Sequence, residues 1–252
     1  MFTGVGVGVG DVNGDGIPDL VITCNVITYI YWGITDYPYF TKTNRALMAM
    51  DNSWGNISNN GFGENCTHCA NFAFNATIVD VNGDKQNDII ISTSEHTDNP
   101  IFPTHQRILI NQGKGRFNDN NILVLPDYKL PYNETHDYIP DDINGDGKID
   151  LIGLGSLGTD TWDIFVYMQQ ADGTFKIDYD IVKFSNTNRS KWKPRLIYAD
   201  FNNDGKKDIS YVDCDLGMTQ LNTKSVFIRS GNQFIEQNFF DVDKYAYSIL
   251  KK

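Results

Sequence analysis

Four segments of the sequence place carboxylate and amide side chains at the same intervals. The segments are DVNGDGIPDL from Asp11, DVNGDKQNDI from Asp80, DINGDGKIDL from Asp142 and DFNNDGKKDI from Asp200. They share the frame D-x-N-x-D-x-x-x-D followed by Leu or Ile, and their first aspartates lie 69, 62 and 58 residues apart. Four copies at similar spacing indicate an internal repeat of about sixty residues.

The oxygen-rich side chains of this frame suit a hard divalent cation. Ca²⁺ accepts about six to eight oxygen ligands from carboxylates, amides and backbone carbonyls. We expect the side chains at positions one, three, five and nine of each loop to converge on one ion, together with the carbonyl oxygen of position seven. The candidate metal ligands are Asp11, Asn13, Asp15, Ile17, Asp19, Asp80, Asn82, Asp84, Gln86, Asp88, Asp142, Asn144, Asp146, Lys148, Asp150, Asp200, Asn202, Asp204, Lys206 and Asp208.

Glycines at positions four and six let a loop curl tightly enough for its oxygens to converge. The second loop fits least well, because Lys85 replaces the glycine at position six and adds a positive charge. The fourth loop has Asn203 at position four, and asparagine tolerates the left-handed conformation. The sequence thus predicts up to four Ca²⁺ ions. Their role is structural, since a catalytic metal usually occurs once and keeps an open position for water.

Two other interpretations of the loops explain less. A tight Asx turn, in which Asp and Asn side chains cap backbone N–H groups, accounts for one or two such residues in a loop. It does not account for the whole frame repeated four times. An EF-hand needs glutamate at position twelve and a helix on each side. Position twelve here holds Ile22, Ile91, Gly153 and Tyr211.

The segments around each loop have the character of β-strands. The runs GVGVGVG, AFNATIV, HDYIPD and RLIYA precede the loops, and the apolar runs LVIT, IIIS, LIGL and ISYV follow them. A second apolar run comes next in each unit, and no stretch has a convincing helical period. We therefore predict an all-β chain in which each unit forms three or four antiparallel strands, with the acidic loop joining the first two.

These motifs resemble the FG-GAP repeat of integrin α-subunits and the bacterial VCBS repeat. The resemblance rests on the D-x-N-G-D-G-x-x-D-L loop, the Gly-Val strand before it and LVIT after it. It implies a β-propeller built from four-stranded antiparallel blades, each with a Ca²⁺-binding hairpin loop. The resemblance covers residues 1–252 as one domain, with units at 1–50, 71–125, 134–185 and 192–241 and an inserted loop at 51–70.

The number of blades has a consequence for assembly. Propellers have about four to eight blades, so four units make either a small closed ring or part of a larger one. A partial ring would expose blade edges, and an unpaired edge strand can pair with another chain. Assembly through open blade edges is therefore one expectation from the sequence.

Composition and charge exclude several other classes of protein. The net charge of −11 argues against a nucleic-acid partner, because phosphate binding needs a basic surface. No apolar run is long enough for a transmembrane helix, and the first residues lack the basic and apolar regions of a signal peptide. We nevertheless expect an extracellular or cell-surface parent protein, because loops with the calcium affinity of extracellular modules would stay largely empty in cytosol.

Two stretches have the composition of ligand-binding surfaces. Residues 50–72 form a long connection rich in glycine and asparagine, which carries Trp54, Phe62 and His68. Residues 28–40, TYIYWGITDYPYF, are unusually aromatic. Such a stretch either packs between blades or stacks against a sugar or protein ligand.

The leading hypothesis for function is a non-catalytic calcium-binding module for adhesion, or for binding a protein or glycan ligand outside the cell. It follows from four structural cation loops and from the absence of HExxH and GxSxG motifs in the sequence. The alternative is a carbohydrate-active enzyme on a propeller scaffold, either a polysaccharide lyase or a hydrolase, or the accessory module of one. Fold alone does not decide between them.

Overall fold

The computed structural model describes residues 5–24, 27–48, 72–94, 106–117, 121–126, 135–156, 162–183, 195–213 and 222–238. All regular structure in these ranges is β-strand, so the predicted all-β class is confirmed. The described ranges contain no helix that is long and apolar enough to cross a membrane. The inserted loop at 51–70, with Trp54, Phe62 and His68, lies outside them.

Each repeat forms one sheet whose strands follow one another in chain order, as in a propeller blade. The first sheet contains β1 (Val5–Gly10), β2 (Asp19–Cys24), β3 (Ile27–Tyr31) and β4 (Arg45–Met48). The second contains β5 (Phe72–Val79), β6 (Asp88–Ser94), β7 (Arg107–Leu109) and β8 (Ile122–Val124). The third contains β9 (Thr135–Asp141), β10 (Asp150–Ser156), β11 (Trp162–Gln169) and β12 (Phe175–Asp178).

The fourth sheet has the same antiparallel meander and one additional strand. It contains β14 (Arg195–Ala199), β15 (Asp208–Asp213), β16 (Asn222–Ser230) and β17 (Gln233–Asn238). A short strand, β13 (Val182–Lys183), pairs with β17 in parallel. The predicted four-stranded antiparallel blades are therefore present in all four repeats, and the last sheet is extended by residues that precede it in sequence.

The chain forms two compact units. One comprises Met1–His136 and Gln169–Lys176, and the other comprises Asp137–Met168 and Ile177–Lys252. Each unit has an apolar core of its own, made by inward-facing residues of its strands.

The core of the first unit lies between the first two sheets. Its buried residues are Val12, Val21, Ile30, Ala76, Ile89, Ile91 and Leu109. Strands β1 and β5 approach so closely that a Cβ atom on Gly8 would lie 2.6 Å from the carbonyl oxygen of Ala76. The alternating glycines of β1 therefore face the neighbouring strand, while Val7 and Val9 face outward and are exposed.

The core of the second unit is larger and includes aromatic residues. Its buried residues are Ile143, Ile152, Leu154, Ile164, Val166, Ile181, Val182, Ile209, Phe227 and Phe234. Ile181 and Val182 reach this core because the backbone N–H of Phe234 donates a hydrogen bond to the Ile181 carbonyl at 2.8 Å. Phe234, which follows the turn at residues 231–232, is thus a core residue in this unit.

Candidate cation loops

Each acidic loop connects the first two strands of its sheet, as the sequence predicts. In the first loop, Gly10 of β1 pairs with Asp19 of β2, so the frame begins after one strand and its ninth residue begins the next. The same pairing joins Val79 to Asp88 in the second sheet. The loops therefore share one hairpin geometry because they share one register.

The first carboxylate of each loop binds the backbone of the loop itself. Asp11 Oδ1 accepts hydrogen bonds from the N–H groups of Gly14 at 2.7 Å and Asp15 at 3.2 Å, and Asp11 Oδ2 accepts one from Gly16 at 2.8 Å. Asp80 and Asp142 accept the three equivalent bonds in their loops. These bonds fix the loop as a tight turn around its first side chain.

Positions one, three and five of each loop are brought together by one shared N–H group. The N–H of Asp15 donates both to Asp11 Oδ1 at 3.2 Å and to Asn13 Oδ1 at 2.9 Å. The fifth residues of the other loops donate in the same two directions; these residues are Asp84, Asp146 and Asp204. The side-chain oxygens of positions one and three therefore lie around one backbone N–H in every loop.

Two backbone positions of each loop adopt the left-handed conformation that this turn requires. In the first loop they are Gly14 and Gly16, with φ angles of +77° and +83°. Lys85 and Asn203 occupy equivalent positions with φ angles of +68° and +61°. The loops with Lys85 and Asn203 in place of glycine therefore have the same backbone conformation as the others. Lysine adopts this left-handed conformation at a steric cost that asparagine largely avoids.

Position nine has a different environment from positions one, three and five. The carboxylates of Asp19, Asp88, Asp150 and Asp208 are fully buried. Asp19 Oδ2 accepts a hydrogen bond from the N–H of Val12 at 2.8 Å, and Asp19 Oδ1 accepts one from Gly33 at 2.9 Å. The ninth side chain thus ties the loop to the third strand of its own sheet.

Burial shifts the ionisation of these ninth carboxyls. Desolvation raises the pKa of Asp88 to about 6, against the opposing effect of the backbone N–H groups of Asn111 and Val81. Burial also raises the pKa of Asp19 and Asp208. In the present arrangement, no three acidic, histidine or cysteine side chains within the described ranges are grouped as ligands of one metal ion.

The first three loops share a second feature at position two, which the predicted ligand frame does not include. Val12, Val81 and Ile143 occupy this position and are buried. Their carbonyl oxygens accept hydrogen bonds from polar side chains at the end of a third strand. Asn111 donates to Val12 at 2.7 Å, Gln169 to Val81 at 3.0 Å and Arg229 to Ile143 at 2.8 Å. The uniformly apolar residue inside D-x-N is the sequence signal for this anchor.

Arg229 makes the most extensive of these contacts. Its guanidinium also donates to Asp141 Oδ2 at 3.1 Å, and the hydroxyl of Tyr198 donates a short hydrogen bond to the same oxygen. Burial and the neighbouring Asp141 carboxylate raise the pKa of Tyr198. This network holds the third loop through its backbone carbonyls at Asp142 and Ile143.

A cleft of about 830 Å³ lies beside the first loop. Trp32, Thr35, Asn44 and Lys114 line it together with loop residues that include Asp15. Of the aromatic stretch 28–40, Ile30 is buried, Trp32 is half-buried, and Tyr37 and Tyr39 are 87% and 58% exposed. The structure thus divides this stretch between the core and an exposed surface.

Comparison with known proteins identifies a repeat family for part of the chain and does not identify a ligand. No curated protein sequence matches the chain. The solved structure of a lectin from Agrocybe aegerita, described for its specific recognition of non-reducing terminal N-acetylglucosamine, aligns with a TM-score of 0.42 and 15% identity. The alignment covers 94% of this chain and spans 66% of the length of the lectin chain.

A family model supports the predicted repeat directly. The model of the FG-GAP-like repeat matches residues 142–210, which contain the third loop, most of the third sheet and the fourth loop. The loops in this segment have the hydrogen-bonding pattern found in the first two. Residues 142–210 are therefore an FG-GAP-like repeat segment.

Proposed function

We propose that this chain is a non-catalytic, calcium-binding β-propeller repeat module that binds a protein or glycan ligand outside the cell. The observation that carries the proposal is the shared N–H group of position five, which holds the oxygens of positions one and three together in all four loops. The FG-GAP-like segment and the four blade-like sheets support the same assignment.

The donor set of each loop fits Ca²⁺ chemically. Two carboxylates, one amide oxygen and the carbonyl of position seven supply the hard oxygen ligands that this ion prefers. In the first loop, Asp11 Oδ2 accepts one backbone N–H and retains a second lone pair for an ion, whereas Asp11 Oδ1 accepts two. The bound ion would neutralise the repulsion between the carboxylates at positions one and five and so stabilise the turn.

The ninth carboxylate contributes to each site mainly by holding the loop in place. In the first loop, Asp19 is buried and its two oxygens accept hydrogen bonds from Val12 and Gly33. It therefore holds the two ends of the loop in register, and its charge lies directly beneath the exposed cluster. This geometry agrees with a structural ion rather than a catalytic one, since the residues surrounding the cluster are fixed by the sheet.

The four loops differ in charge, so their affinities for Ca²⁺ should differ. In the third loop, Lys148 Nζ lies 2.9 Å from Asp146 Oδ2 and lowers the pKa of that carboxyl. The second loop carries Lys85. The first loop has no lysine within its frame, and we therefore expect it to bind Ca²⁺ more tightly than the loops whose frames contain one.

Calorimetric titration and thermal unfolding test this proposal. Chelation of divalent ions should lower the melting temperature of the protein, and Ca²⁺ should restore it more effectively than Mg²⁺. The double variant D11N/D15N should lose the tightest calorimetric site. D172N is the matched control, because Asp172 is an exposed acid in a turn outside the loops. Identical melting curves with chelator and with Ca²⁺ would contradict the proposal.

A further inference from the structure

We infer that the cleft beside Trp32 is a carbohydrate-binding site. This inference rests on the proposed ligand-binding function and assigns it a location and a class of ligand. The cleft lies within the first unit, between the first loop and the turn that carries Lys114. Its volume of about 830 Å³ is sufficient for an oligosaccharide of a few residues, since small-molecule sites are typically about 300–1,000 Å³.

Trp32 is a departure from the repeat. Trp32 precedes Gly33, whose N–H donates to the ninth carboxylate of the first loop. The equivalent residues in the other sheets are Ile110, Met168 and Ile228. Each of them likewise precedes a residue that donates to a loop carbonyl or to a ninth carboxylate. The core of the repeat thus requires only an aliphatic residue here. A tryptophan that extends from the core into a cleft supplies a surface that packing alone does not demand.

The indole of Trp32 packs against Gly115, and its backbone is fixed by hydrogen bonds with Asn44. Gly115 lies against the indole ring, where a Cβ atom would be 2.5 Å from Cη2 and 2.8 Å from Cζ3. The backbone N–H of Trp32 donates to the Asn44 carbonyl at 3.1 Å, and Asn44 Nδ2 donates to the Trp32 carbonyl at 3.2 Å. A ring fixed in this way loses little conformational entropy when a ligand stacks on it.

The remaining groups of the cleft are polar and carry both charges. Thr35 offers a hydroxyl, Asn44 an amide oxygen, Asp15 a carboxylate and Lys114 an ammonium group. A sugar presents an apolar C–H face to an aromatic ring and hydroxyls to donors and acceptors around it. An apolar ligand would leave these polar groups desolvated without partners, and a polyanion would face the acidic loop.

An exposed aromatic surface continues from the cleft. The N–H of Ile34 donates to the Tyr39 carbonyl at 3.1 Å, which closes a turn that carries Tyr37 and Tyr39 next to Thr35. The two tyrosine rings meet edge to face with centroids 6.1 Å apart. Tyr37 and Tyr39 lie outside the cleft but on the turn that begins with its lining residues Ile34 and Thr35, so a saccharide that extends past Thr35 would gain a second aromatic surface.

The test is an oligosaccharide-binding assay on the calcium-loaded protein. A panel of immobilised neutral hexose and N-acetylhexosamine oligosaccharides identifies a ligand, and isothermal titration measures its affinity. We expect W32A to weaken binding by about tenfold or more, W32F to retain a substantial part of it, and Y37A/Y39A to weaken the longer ligands more than the shorter ones. Y179A is the control, since Tyr179 is an exposed tyrosine of the second unit.

The outcomes distinguish failure of the carbohydrate site from failure of the proposed calcium binding. Oligosaccharide binding that W32A and W32F leave unchanged would overturn the site while leaving a glycan-binding module. Absence of binding to the whole panel, by protein whose melting temperature responds to Ca²⁺, would overturn the carbohydrate assignment while leaving the calcium proposal intact. Phenylalanine lacks the Cη2 and Cζ3 atoms that lie against Gly115, so the melting temperatures of W32A and W32F are both measured, and a loss of binding supports the site only for a variant whose melting temperature stays near that of the parent.

Discussion

The side-chain amide of Asn111 donates a hydrogen bond to the carbonyl oxygen of Val12 at 2.7 Å, although 99 positions separate the two residues. The same nitrogen donates to the Asn87 carbonyl at 2.9 Å, and the backbone N–H of Asn111 donates to the buried carboxylate of Asp88. One residue of the second sheet thus satisfies the first loop and the second loop together. The relative placement of these two loops depends on this buried amide.

Replacement of Asn111 by alanine should destabilise the protein by about 1 to 3 kcal/mol, because it removes the donor to the Val12 and Asn87 carbonyls in a buried site. Chemical denaturation measures the change. N111D should be at least as harmful, since it places a carboxylate against two carbonyl oxygens. The exposed neighbour variant Q112A should stay near the parent, and a loss of equal size in Q112A would contradict the assignment.

Gly8→Ala should destabilise the first unit by about 1 to 3 kcal/mol, because the new methyl group would lie 2.6 Å from the backbone oxygen of Ala76. G10A should cost less, since the nearest atom to its methyl group is a side-chain carbon of Ile78, which can move. V9A should have little effect, because Val9 is 64% exposed. Thermal or chemical unfolding gives the order of the three variants, and a harmless G8A would contradict the close strand approach.

Lys85→Gly should stabilise the second loop by up to about 1 kcal/mol, because lysine has a φ of +68° there and glycine adopts this region without steric strain. The substitution also removes a positive charge from the frame, so the Ca²⁺ affinity of the loop should rise. The reciprocal variant G147K, at a φ of +83°, should lower both the stability and the calcium affinity of the third loop. A lower Ca²⁺ affinity in K85G, or a higher one in G147K, would contradict this prediction.

Asp88 should make the calcium-free protein less stable as pH rises from about 4 to 7. Its carboxyl has a pKa of about 6 in the folded protein and an ordinary value of 3.8, so the folded state binds the proton more tightly than the unfolded state. The stabilisation from this proton is complete at low pH and is lost as pH rises through 6.

The measurement is the difference in unfolding free energy between the parent and D88N across this pH range. The difference should decline with rising pH, because the variant lacks the titrating carboxyl. For D172N, the same difference should be flat between pH 5 and 7, since a hydrogen bond from Thr174 lowers the pKa of Asp172. A D88N difference with no slope would show that the buried carboxyl does not couple to folding.

The repeat frame was sufficient to predict the strands and the exposed loop cluster. The runs on either side of Asp11 and Asp80 have the β-branched and alternating character of strands, and the loops between them are local in sequence. Local hydrogen bonds then hold the side-chain oxygens of positions one and three around the backbone N–H of position five. For these elements the interactions that fix the structure lie within about ten residues of one another, so the sequence pattern contains them.

The buried role of position nine could not be derived in the same way. The partners of Asp19 and Asp88 include Gly33 and Asn111, which lie 14 and 23 residues further along, just after the third strand of each sheet. Their positions depend on the length of the intervening hairpin, which differs between the repeats. The contact of Asn111 with Val12 depends on how one sheet packs against another, and no local motif encodes that packing.

The parallel pairing of Val182 and Lys183 with Phe234 and Ile235 has a consequence for how this chain can be divided. The residues lie upstream of the fourth loop in sequence, yet they form the margin of the sheet that follows. A cut in the segment between the third and fourth repeats would remove two buried side chains, Ile181 and Val182, from the last sheet. Exchange or duplication of the fourth repeat by recombination would therefore have to break the chain before residue 181, so that the last sheet keeps the strand Val182–Lys183.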